Sequence, residues 1–237
     1  MIDDADTGLV NGLAVLDTML VEDGTAYDMN LHFARLHRDC RTVLRVEAPE
    51  FENRAREMIA GVTGTARLRI VITAGIVATP LAIPTQPQIV MSVTATDIPS
   101  RPLACKIIKA YPRVAGCVLE TCKRTDYTRS FAARQDALSA GFDDAILTNT
   151  DGNIACASTS NIFIYEGDTL ITPPLKDGVL AGITRHKLVA KGAVESEISV
   201  GRLMNADAVF LSNSITGPRS VSVVDGVKFD LRLPDKA

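Results

Sequence analysis

The sequence predicts an α/β (α+β) chain of two domains, a small N-terminal one and a larger C-terminal one. Three observations predict it. Arg67 to Thr73 alternates apolar and polar residues at the period of a strand. Leu31, Phe33, Leu36, Cys40, Val43 and Leu44 recur at helical spacing. Asp97-Ile98-Pro99-Ser100-Arg101-Pro102 then interrupts regular structure twice, and the texture changes beyond it. The length of 237 residues suits one large domain or two small ones. The division expected is 1–97, a linker at 98–104, and 105–237, with a cleft between the domains, where small-molecule sites tend to lie.

Val15 to Val21 is apolar enough for a strand, and Asp23-Gly24 closes it with a turn. Asn30 is a candidate cap for the helix that carries the apolar stripe. Pro49 suits the first turn of a second helix with Phe51, Ala55, Met58 and Ile59 on one face. The alternating segment at Arg67 is one strand, and Gln88 to Thr94 is another. In the C-terminal part, Cys105 to Ala110 reads as a strand and Thr125 to Ala140 as a helix. Asp144 to Thr148 is a strand that ends near the turn Asp151-Gly152. Asn161 to Tyr165 and Thr169 to Thr172 make a hairpin across Gly167-Asp168. Thr184 to Val194 is helical, and Ala208 to Leu211 is a short strand.

Composition narrows the function. Hydrophobic residues make up 46% and charged residues 22%, an ordinary globular balance with ample material for a core. Lys and Arg number 25 against 28 Asp and Glu, a net charge of −3, which offers no electrostatic footprint for nucleic acid. No apolar run is long enough for a membrane span, and the acidic start Met1-Ile2-Asp3-Asp4-Ala5-Asp6 lacks the character of a signal peptide. Five scattered cysteines and three histidines form neither a disulfide framework nor a metal cluster, so no metal is expected and a reducing cytoplasm is the simplest compartment. Walker, Rossmann and Gly-x-Ser-x-Gly signals are absent.

What remains is an ordered set of short segments. Asn161-Ile162-Phe163-Ile164-Tyr165, Thr172-Pro173-Pro174-Leu175 and Gly178-Val179-Leu180-Ala181-Gly182-Ile183-Thr184-Arg185 follow one another. Together they resemble the signature of the class IV aminotransferases, the fold-type IV pyridoxal-phosphate enzymes. That group includes branched-chain and D-amino-acid aminotransferases and 4-amino-4-deoxychorismate lyases. The resemblance begins near Asp6, is thinner in the first half and dense in the second, and implies a barrel-like C-terminal domain that binds pyridoxal 5'-phosphate.

By resemblance, Lys123 matches the Schiff-base lysine, ahead of a helix and of the ring position at Cys156; Lys106 and Lys109 compete less well. A pyridoxal enzyme needs such an amine to hold the cofactor aldehyde and to move the Cα proton. The family holds the cofactor phosphate on the amides of Ile183 and Thr184 and on the threonine hydroxyl, where free N–H groups at a helix start favour an anion. Arg35, within His32-Phe33-Ala34-Arg35-Leu36, matches the arginine that neutralises this phosphate. Ser214 falls at another phosphate hydroxyl. Tyr127 is a candidate donor to the phenolic oxygen of the ring, one position off the branched-chain spacing. Read without the resemblance, Thr184 is a helix cap, Arg35 a surface charge and Tyr127 a partly buried helix residue.

Two departures stand out. Cys156 occupies the place of the glutamate that pairs with the pyridine nitrogen, and a neutral thiol is a weak substitute for a carboxylate. The segment Ala74-Gly75-Ile76-Val77-Ala78-Thr79-Pro80 carries no charge where relatives clasp a substrate carboxylate, which leaves Arg67, Arg69, Arg113 or a partner-subunit group unranked for that role. The resemblance implies an aminotransferase that moves an amino group between small amino and keto acids. A lyase releasing pyruvate is the nearest alternative, suggested by Asn213-Ser214-Ile215-Thr216-Gly217, and a non-catalytic ligand-binding relative is a further one. It also implies a homodimer.

Overall fold

The structure is a computed structural model that describes residues 3–79 and 81–234. Met1 and Ile2 of the acidic start, and Pro80 of the uncharged segment, lie outside the described residues. The chain divides into two compact units. One holds Met1–Ile98 together with Cys122–Asp126; the other holds Pro99–Thr121 and Tyr127–Ala237.

In the first unit a short helix α1 (Thr7–Val10) precedes β1 (Ala14–Glu22) and β2 (Thr25–Ala26), followed by helices α2 (Met29–Asp39) and α3 (Glu52–Ile59) and strands β3 (Thr65–Thr73) and β4 (Gln88–Ala95). The sheet is antiparallel in the order β2-β1-β3-β4. Alternation works as the sequence implies: Leu68, Ile70 and Ile72 of β3 are buried while Arg67 and Arg69 face outward. These residues join Val15, Met19 and Val21 of β1 and Phe33 and Leu36 of α2 in one core. The β1–β2 turn takes positive φ at Asp23 and Gly24, as a tight hairpin requires.

Helix α2 departs from expectation at both ends. Asp28, in the left-handed region and without a side-chain capping bond, precedes it, so Asn30 lies inside the helix and is not its cap. At the far end the apolar stripe continues through a π-helical turn, Cys40–Leu44, where α-helical hydrogen bonding stops although the periodicity persists. Helix α3 starts after Phe51, leaving Pro49 in the preceding loop.

The second unit is built on β5 (Leu103–Arg113), α4 (Thr128–Ser139), β6 (Asp144–Asn149), β7 (Ile154–Ala157), β8 (Asn161–Glu166) and β9 (Thr169–Thr172). Then follow α5 (Ile183–Ala190), β10 (Val194–Glu195), α6 (Val200–Met204), β11 (Ala208–Asn213), β12 (Gly217–Val224) and β13 (Val227–Lys228). Pairing runs β8-β11-β12-β5-β6-β7 and closes through β7–β8, so 6 strands form a barrel-like sheet. Closure buries both sides of the central strands. Every residue of β6 and β7 is buried, which is why these strands carry no alternation. Helix α4 begins at Thr128, later than periodicity suggests, because Lys123–Thr125 is committed to backbone bonds with β1. Helix α5 ends at Ala190, and Val194 belongs to β10, parallel to β9.

Candidate functional site

The first unit positions Lys123 and Arg35. Lys123 lies in Cys122–Asp126, which runs antiparallel to the start of β1: Leu16 N–H donates to the Lys123 carbonyl at 2.9 Å, and Thr125 N–H to the Ala14 carbonyl at 3.2 Å. The strand β2 pairs with β1 only at Val21 and Glu22, which leaves the edge at Ala14–Leu16 available for this segment. Lys123 N–H itself donates to Asp39 Oδ2 at 2.8 Å.

Arg35 is a buried group and not a surface charge. Its Nε donates to Asp17 Oδ2 at 2.9 Å and its Nη2 to Asp17 Oδ1 at 2.7 Å, while His32 Nδ1 meets the same Oδ1 at 2.7 Å. Burial pushes the Asp17 carboxyl up, but the Arg35 charge and the bonds from His32 and Arg35 outweigh it and hold the group well below the usual carboxylate range. Arg35 and Lys123 thus anchor to neighbouring residues of β1, one through the Asp17 side chain and the other through the Leu16 backbone.

The second unit gathers Cys156, Ile183, Thr184 and Ser214 through two asparagines. Asn161 opens β8 directly opposite Cys156 of β7. Its Nδ2 donates to the Leu180 carbonyl at 2.9 Å, and its Oδ1 fills the space beside Gly182, where an added Cβ would lie 2.1 Å away. Gly182 caps α5 with no side chain, so the amides of Ile183 and Thr184 sit in a first helical turn that lacks intrahelical acceptors. Asn213 Oδ1 accepts from the amides of Ile215 and Thr216, both at 2.9 Å, and so shapes the turn that carries Ser214. Thr184 Oγ1 donates to the Asn213 carbonyl at 3.2 Å and ties that turn to the start of α5. Opposite Asn161 on β11, the Ser212 hydroxyl is buried without a hydrogen-bond partner. Helix dipole, unclaimed amides and a buried hydroxyl suit a polyoxygen anion.

At Cys156 the chemistry is different. Burial pushes this thiol up, so it stays neutral. Near it in the same unit lies an ion cluster that sequence reasoning missed. Glu120 is buried, accepts from Arg129, and has Oε2 3.2 Å from Arg113 Nη1. Arg113 Nε also donates to the Gly178 carbonyl at 3.3 Å. Arg113 is therefore engaged by Glu120, while Arg67 and Arg69 stand exposed on β3. Tyr127 sits half-buried at the cap of α4, its carbonyl accepting from Phe131 N–H at 2.8 Å. Lys106 and Lys109 lie on β5, where Lys106 pairs with Asp225 and Lys109 is exposed.

The description "amino-transferase class IV" matches residues 14–224, which span β1 to the end of β12. The chain belongs to the class IV aminotransferase family. A protein of Aquifex aeolicus with the provisional name branched-chain-amino-acid aminotransferase is 36% identical over 43% of this chain and 35% of its own length. That match spans about a third of the relative. Aminodeoxychorismate lyase of Bacillus subtilis is 25% identical over 89% of this chain and 77% of its own length. A Legionella pneumophila crystal structure with the provisional name 4-amino-4-deoxychorismate lyase superposes with a TM-score of 0.91 at 25% identity, covering 99% of this chain and 91% of that one. In this family the six-stranded barrel is the fold-type IV architecture.

Among the described residues no group of three or more His, Cys, Asp or Glu could hold a metal ion, and no helix is long and apolar enough to cross a membrane.

Proposed function

We propose that this chain binds pyridoxal 5'-phosphate and transfers amino groups between a small amino acid and a keto acid. The carrying observation is the cradle at the start of α5, where Gly182 gives way to Asn161 and Thr184 is tied to the Ser214 turn. Its unclaimed amides and the orphaned Ser212 hydroxyl fit a phosphate monoester. Lys123 is the proposed source of the amine, on a segment fixed at both its N–H and its carbonyl. The fit is weaker at Cys156, a buried neutral thiol where the family pattern has a carboxylate.

The cofactor supplies an aldehyde and a conjugated ring that stores the electron pair of a broken Cα bond. The chain's own residues do the rest. Ile183, Thr184 and Ser214 would hold the phosphate, Arg35 would neutralise it, Lys123 Nζ would take the substrate α-proton and pass it on, and Tyr127 would donate to the ring oxygen. Cys156, buried and neutral, would supply no charge at the ring edge.

A second reading is a lyase that releases pyruvate. It is favoured by the Asn213–Gly217 turn and by a likeness to the Bacillus lyase along most of the chain. The experiment is to add pyridoxal phosphate, look for a visible band, reduce with borohydride and map the pyridoxyl mark by peptide mass. A mark on Lys123 is the expected result. No band and no mark would leave a non-catalytic ligand-binding relative. Assays for amino-group exchange and for pyruvate from aminodeoxychorismate then separate transferase from lyase.

A further inference from the structure

We infer that Asp39 is the positioning residue that sets Lys123. The inference rests on the function proposed above. Asp39 ends α2 with a wholly buried carboxylate. Its Oδ1 accepts from Arg38 Nε at 2.9 Å and Nη2 at 2.6 Å, and its Oδ2 accepts from Lys123 N–H at 2.8 Å. A buried carboxylate must have its lone pairs satisfied, and this one is satisfied by a guanidinium and by the backbone of the lysine.

The placement has a plain geometric logic. His32, Arg35, Leu36 and Asp39 are spaced by three and four residues along α2, so all share its buried face. Arg35 reaches Asp17 from that face, and Asp39 reaches Lys123 one helical turn further on. The helix therefore works as a ruler. It fixes where the phosphate-side arginine stands and where the lysine stem starts, using two carboxylates on adjoining structures. A lysine on a flexible four-carbon stem gains its accuracy from the root of that stem. The π-turn that begins at Cys40 follows directly, so Asp39 occupies the last regular turn before the widening.

The test combines two readouts on Asp39→Ala and Asp39→Asn, both compared with the unmodified protein well below its melting temperature. The first is amide hydrogen exchange of the 122–126 segment without cofactor. The second is the rate at which pyridoxal phosphate becomes borohydride-fixable on Lys123. Asp39→Ala should raise exchange at the Lys123 amide and slow attachment, each by about tenfold or more, the worth of a hydrogen bond to a charged acceptor. Asp39→Asn keeps an acceptor oxygen and should recover much of both. If Asp39→Ala lowers the melting temperature but leaves exchange and attachment as they were, Asp39 is structural only and the inference is overturned. Should the unmodified protein attach no cofactor, the proposed function fails, while the exchange measurement still decides the role of Asp39. Should Asp39→Ala not fold, Asp39→Ser replaces it, with the same outcomes.

Discussion

Asn161 and Gly182 exclude one another's growth: a Cβ on residue 182 would lie 2.1 Å from Asn161 Oδ1. Gly182 has an ordinary φ of −71°, so close approach and not backbone freedom demands glycine here. Gly182→Ala must turn the Asn161 carboxamide and break its bond to the Leu180 carbonyl. A stability loss of about 1–3 kcal/mol is expected in urea unfolding, from overpacking and a stranded buried amide. Pyridoxal phosphate titration should show affinity falling by about tenfold or more if the misplaced first turn is the phosphate cradle proposed above. Adding Asn161→Ala should restore part of the stability, a coupling that a double-mutant cycle reads directly.

Asp17→Ala removes a carboxylate that Arg35 and His32 share. The buried guanidinium then loses the counter-charge that Asp17 supplies. Stranding one member of a buried pair costs about 3–5 kcal/mol. Chemical denaturation of Asp17→Ala and Arg35→Leu, each alone and together, checks this. The double variant should be less destabilised than the sum of the two single changes, because neither charge remains to be stranded.

The same carboxylate makes stability depend on acid. Its folded pKa lies well below the unfolded value of about 3.9. Below pH 4 the unfolded chain therefore binds a proton that the folded chain does not, and stability falls as pH falls. The contribution is fully present above pH 4 and is lost as the folded group titrates at still lower pH. Asp17→Asn should flatten the pH dependence of unfolding free energy between about pH 4 and pH 2. Equal slopes below pH 4 in both proteins would assign the acid sensitivity elsewhere.

Much of the first unit's fold was legible because its sheet is covered on one face. Alternation at Arg67–Thr73 and the Asp23-Gly24 turn are direct prints of a half-buried antiparallel sheet. The barrel was harder to read. Strand β7 is buried throughout and short, and β12 opens with Gly217-Pro218, so neither announces itself by period. The start of α4 was misjudged because Thr125 is claimed by Ala14, a partner far away in sequence. The candidate site shows the same division. The start of α5 and its glycine were visible as a motif, and the roles of Asp39, Asn161 and Asn213 were not. Each of these acts on a backbone group that only folding brings near. Arg113 was an unranked candidate for a substrate carboxylate, and its pairing with Glu120 beside Arg129 depends on burial that no local pattern records.

That cluster yields its own expectation. Two guanidiniums flank one buried carboxylate, and Glu120→Gln leaves both with a neutral partner. Thermal unfolding should show a loss of about 3–5 kcal/mol, the cost of breaking a buried ionic group by one member. Glu120→Asp keeps the charge but shortens the reach, and should cost less.

Cys156→Glu tests the largest departure from the family pattern. The position is buried on β7 opposite Asn161, and the native thiol is neutral because burial disfavours its charged form. A glutamate there would meet the same penalty, with the charges of Arg113 and Arg129 favouring its ionised form and those of Glu120 and Asp144 opposing it. The side chain is larger, so some stability is lost to overpacking, about 1–3 kcal/mol. If weak pairing at the ring nitrogen limits the reaction, the new carboxylate should raise kcat for amino-group exchange while the affinity for pyridoxal phosphate changes little. Cys156→Gln controls for size: similar in volume, it brings no charge and should not raise kcat. A Glu variant that folds, binds the cofactor and turns over at the native rate would mean that ring protonation does not limit the proposed reaction, and that Cys156 suits a reaction with a lesser need for the electron sink.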